Sequence, residues 1–145
     1  RANSKQPEHP ELQDNFSTIV SFAGGAFAVI SETLAAFEHH VTCKVAGTKG
    51  AAWARWSGPD ARTLQPTFGL KFGDHTHVEE VCFEKSAGEL FELETQIQTF
   101  VRSVREGTLP IASGNDGRWS VLLCLAAQKS VDLARQVAIE EMVSS

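Results

Sequence analysis

The sequence predicts an α+β fold: an open, largely antiparallel (mixed) β-sheet with two main helices packed on one face. Three observations lead there. Runs with a two-residue alternation fill the first half of the chain. Apolar residues then recur at three- and four-residue spacing, the period of amphipathic helices. Short glycine-bearing turns, rather than crossover helices, separate the early runs, and such turns join antiparallel neighbours.

The elements follow in order. Residues 1–14 are polar, carry Pro7 and Pro10, and read as an arm or linker, with the folded domain over 15–145. Residues 15–22 and 26–33 flank Ala23-Gly24-Gly25, a hairpin signal whose glycines allow positive φ. Residues 41–46 and 51–56 flank Gly47-Thr48-Lys49-Gly50 and form a second hairpin of the same kind. In it, Val41, Cys43 and Val45 share one side of a strand, and Thr42 and Lys44 share the other. Gly58-Pro59-Asp60 marks a turn, 67–72 is extended before Gly73-Asp74, and a further strand covers about 76–84.

From Gly88 onward, Leu90, Leu93, Ile97, Phe100, Val101 and Val104 trace a helical stripe. Arg102 and Arg105 suit the negative end of its dipole, and Gly107 suits its C-terminal cap. A second stripe runs through Trp119, Leu122, Leu123, Ala126, Ala127, Ser130 and Ala134. That helix is almost wholly apolar as far as Ala127, so it is expected to be buried on most sides, with Leu122 and Leu123 deep in the core. Residues 136–140 read as a short closing strand.

Composition narrows the function classes. The chain has 145 residues, 42% hydrophobic and 21% charged, a size and balance that support one core without a disulfide or metal staple. A net charge of −5 argues against nucleic acid and anionic membranes, whose binders concentrate positive charge. The longest apolar run, 121–127, falls far short of the roughly 20 residues that cross a bilayer. Cys43, Cys82 and Cys124 form no CxxC pair, and their odd number points to reduced, buried thiols and a cytoplasmic setting. The chain opens on Arg1 without a signal-peptide pattern, so a processed product or a piece of a longer protein is the expectation.

Most site chemistries fail on the residues. No GxGxxG and no GxxxxGK[ST] occurs, so no Rossmann domain and no P-loop is read in this chain. GxSxG and SxxK are absent too. His75 and His77, at i and i+2, would face one side of a strand, and a carboxylate nearby in Gly73-Asp74-His75-Thr76-His77-Val78-Glu79-Glu80 would complete a metal site. This segment resembles the first cupin motif, but no histidine follows His77 to complete it. A solvated turn is therefore preferred, and no metal is assigned. His39-His40 sit at a strand end or turn, and Trp53 and Trp56 fall on opposite faces of their strand. Asp116, in Asn115-Asp116-Gly117, is placed to cap the second helix, where a ligand-facing role is also compatible.

Several segments together carry a resemblance. Asp14-Asn15-Phe16-Ser17-Thr18 with Phe22-Ala23-Gly24-Gly25-Ala26 form the first of these. Val45-Ala46-Gly47-Thr48-Lys49-Gly50-Ala51 is the second. Phe100-Val101, Glu106-Gly107, Pro110, Asp116-Gly117-Arg118 and Ala126-Ala127-Gln128-Lys129-Ser130 complete the set. In this order and spacing they resemble the C-terminal domain of the glucose–fructose oxidoreductase / inositol dehydrogenase / MocA family, from about residue 14 to residue 140.

That resemblance implies a parent oxidoreductase that uses NAD or NADP on a sugar, cyclitol or related polyol or carbonyl. Its cofactor would lie in a preceding dinucleotide-binding domain, and none is expected on this chain. The glycine fingerprint, the Glu-Lys-Pro lysine and the Asp/His catalytic pair of the family are not in this sequence. Asp116 and Arg118 match the loop opening the last helix, which implies substrate-side residues there. The family also implies a homo-oligomer built through the sheet face. The rival reading is a free-standing, non-catalytic binding or assembly module using that face.

Overall fold

A computed structural model describes residues 2–3, 7–36, 39–57, 67–83 and 92–143. The turn expected at Gly58-Pro59-Asp60 and the first residues of the first helical stripe, Gly88 and Leu90, lie outside them. The chain forms two compact units, one of Arg1–Ala36 with Ile111–Ser145 and one of Phe37–Pro110. The α+β class stands, with open antiparallel sheets and two helices. The strands are shared between two sheets, one of three strands and one of four, where the alternation alone had suggested one.

In the first unit, β1 (Ala2–Asn3), β2 (Asn15–Ser21) and β3 (Phe27–Thr33) pair antiparallel in that order. The first hairpin is as expected. Phe22 N donates to Ala26 O at 2.9 Å, and Gly25 takes the left-handed turn position at φ 83°. The open end of the ladder is tied by side chains: Thr33 Oγ1 donates to Asn15 Oδ1 at 2.6 Å, and the Ser17 and Ser31 hydroxyls are 2.8 Å apart.

In the second unit, β4 (His40–Gly47), β5 (Gly50–Ser57), β6 (Thr67–Gly73) and β7 (Val78–Val81) form an antiparallel meander. The register places Val41, Cys43 and Val45 opposite Trp56, Ala54 and Ala52, and these opposite Phe68, Leu70 and Phe72. One face is thereby apolar across three strands. The other face carries the row Lys44, Trp53, Lys71 and Glu80 across all four. Lys44 Nζ sits 5.5 Å from the Trp53 ring centre, and Lys71 Nζ is 3.1 Å from Glu80 Oε2. Glycine is needed at Gly73, where a Cβ would run into the His77 carbonyl oxygen, so the chain can double back tightly into β7.

Helix α1 spans Leu93–Glu106 and ends as the sequence predicts. Gly107 adopts φ 63°, and its N–H donates to Ser103 O. Its apolar stripe of Ile97, Phe100 and Val104 is exposed. Helix α2 spans Gly114–Leu133 and is followed by a 3-10 turn, Ile139–Met142, in place of the closing strand expected at 136–140. Arg135 and Glu141 explain the difference. Arg135 Nη1 and Nη2 both donate to the Glu141 carboxylate, at 3.0 and 2.8 Å, and Ala138 N donates to the same group. Those bonds close the backbone into a turn, where a strand would need a ladder partner.

The strongest contacts between elements are those of neighbouring strands, together with α2 against the 3-10 turn. Buried apolar side chains among the described residues are Leu122 and Ala126, one turn apart on α2. Leu123, expected beside them in the core, is 39% exposed, against 8% for Leu122. The expectation of buried thiols is also corrected. Cys43, Cys82 and Cys124 are free and exposed. No helix among the described residues is long and apolar enough to cross a membrane.

Candidate functional site

The start of α2 is the candidate site. Ser113, in extended geometry with φ −91° and ψ 168°, is the N-cap, and Asp116 lies three residues on. Asp116 N donates to Ser113 Oγ at 3.3 Å, while the Asp116 carboxylate accepts from Ser113 N at 2.7 Å and from Ser113 Oγ at 2.7 Å. This is a capping box, which satisfies amide donors that the first helical turn leaves open. The expectation that Asp116 itself is the cap is thus moved by three residues: it holds the helix start from inside the first turn. The Ser113 hydroxyl and backbone N–H hold its carboxyl below the usual carboxylate range. The sequence signal was present as Ser113-Gly114-Asn115-Asp116, a Ser-x-x-acid pattern ahead of an apolar run.

Arg118 lies one position into the second turn and is exposed. With Asp116 committed to Ser113, Arg118 is the exposed cation nearest this end of α2 in sequence. Its planar guanidinium suits hydroxyl, carbonyl or carboxylate oxygens.

His75 and His77 are brought into the β6–β7 turn, not onto the face of a strand. Asp74 organises that turn. Its Oδ1 accepts from Thr76 N at 2.7 Å, Thr76 Oγ1 at 2.6 Å and His77 N at 2.9 Å, and its own N–H donates to His77 O at 2.9 Å. The Thr76 hydroxyl, then the two backbone donors, lower the Asp74 pKa from its ordinary value. No group of three His, Cys, Asp or Glu side chains among the described residues is placed to hold a metal ion.

Sequence reading passed over a concavity on the apolar face of the four-stranded sheet. It has a volume of about 480 Å³ and is lined by His39, Val41, Trp56, Phe68, Leu70 and Phe83, among others. Two edge-on aromatic pairs shape it, His39 with Trp56 at 5.1 Å and Phe68 with Phe83 at 5.3 Å between ring centres. The cross-strand register that assembles it is not visible from local spacing.

A dinucleotide does not fit the described residues. Pyrophosphate binding needs open N–H groups at a helix start that follows a parallel strand through a glycine-rich turn. Among the described residues every strand pairing is antiparallel, the Asp116 carboxylate and Ser113 occupy the start of α2, and α1 opens with Glu92 and Glu94.

Fold and site together define an α+β module of antiparallel sheets and two helices, with a capping box at the start of α2 and an exposed arginine two residues on. No family model matches the chain. It is similar to myo-inositol 2-dehydrogenase of Thermotoga maritima, with 28% identity over 132 residues, covering 90% of this chain and 37% of that protein. The chain thus spans little more than a third of the length of the curated relative it matches. No solved structure matches.

Proposed function

We propose that this chain is the C-terminal substrate and oligomerisation domain of an NAD(P)-dependent oxidoreductase acting on a sugar, cyclitol or related polyol or carbonyl. The observation that carries this reading is the 132-residue alignment, which takes in nearly all of this chain but 37% of a myo-inositol 2-dehydrogenase. The motif order from Asp14 to Ser130 points the same way. In this reading a dinucleotide-binding domain of the longer protein holds NAD or NADP, and that domain is the chain's first partner. Arg118 meets substrate oxygens, and Asp116 keeps the helix start in place beneath it. The sheet face bearing Lys44, Trp53 and Lys71 joins copies of the protein, since Trp53 is 58% exposed there and indole rings concentrate binding energy at interfaces.

The test is the full-length gene product, assayed for reduction of NAD⁺ and NADP⁺ with myo-inositol and a panel of sugars and polyols. Substrate-dependent appearance of NAD(P)H supports the reading, and Arg118→Ala is expected to raise KM more than it lowers kcat. A full-length product with no dinucleotide-binding domain and no such activity overturns it in favour of a non-catalytic assembly module. Light scattering tests the interface separately: a species larger than a monomer is expected, and Trp53→Glu should shift it towards monomer.

A further inference from the structure

We draw no further inference here: the strongest candidate, the aromatic-lined concavity on the apolar face of the four-stranded sheet between His39, Trp56, Phe68 and Phe83, is an unpartnered sheet face, and nothing in the structure shows what covers it.

Discussion

The Asp116 carboxylate accepts two hydrogen bonds from Ser113, both at 2.7 Å, while its own backbone N–H donates to the Ser113 hydroxyl. The two residues therefore act as one unit. Ser113→Ala is expected to destabilise by about 0.5–2 kcal/mol, the usual worth of an N-cap. Asp116→Ala should also lower the melting temperature. The double variant should lose clearly less than the two single losses added, because each single change already breaks the shared box. Additive losses in denaturant titrations would show two independent contacts.

Leu122 and Leu123 are adjacent in sequence but differ in environment. Leu122→Ala should cost about 2–5 kcal/mol, as for other buried leucines. Leu123→Ala should cost clearly less, since this side chain is 39% exposed. Equal losses in urea unfolding would contradict the helix orientation described above.

Ala134 closes α2 in the left-handed region, at φ 49°, with its N–H on Ser130 O and Val131 O. A side chain there costs roughly 1–2 kcal/mol relative to a right-handed residue. Glycine avoids that clash but orders a freer chain, so Ala134→Gly should give a net gain of up to about 1 kcal/mol. A lower melting temperature for this variant would mean that the Ala134 methyl makes contacts worth more than the strain.

Acid should weaken the C-terminal turn. Arg135, through its hydrogen bonds first and with help from Ala138 N–H, lowers the Glu141 pKa from an ordinary 4.5 to about 2. A carboxyl whose pKa is depressed by folding contributes stability that is complete above the unfolded value and is lost as pH falls through the folded one. The loss should therefore fall between about pH 4.5 and 2. Asp74 and Asp116 shift in the same direction and add to it. Melting temperature against pH should be flatter in this range for Glu141→Gln, and raised salt should reduce the difference between the two proteins. Superimposable curves would rule out the pairing.

Much of this fold is legible locally. The turns at Gly24-Gly25 and Gly47–Gly50, the end of α1 at Gly107 and the opposite faces of Trp53 and Trp56 follow from glycine geometry and the two-residue strand period. The helix cap was legible too, but Asn115-Asp116-Gly117 is the more conspicuous turn signal and draws attention from Ser113. Residues 136–140 have the composition of a strand, yet Arg135 pairs with Glu141 six residues away and bends the backbone instead. At the candidate site, the sequence pointed to Asp116 through its place at a helix start, and to Arg118 through the family resemblance alone. It did not reveal that Asp116 is spent on Ser113, nor that Phe68, Phe83, Trp56 and His39 gather on one sheet face.

By itself the sequence determined the hairpins, the glycine-closed end of α1, the place near Asp116 where α2 begins, and the division of β4 into an apolar and a mixed side. Each of these depends on residues within a few positions of one another, through steric limits on φ, hydrogen-bond reach or side-chain period. Only the tertiary structure decided that the strands separate into two sheets, that Leu122 is buried while Leu123 and three cysteines are exposed, and that His75 and His77 lie in a turn. These are outcomes of burial and strand register, and both depend on which distant segments come into contact.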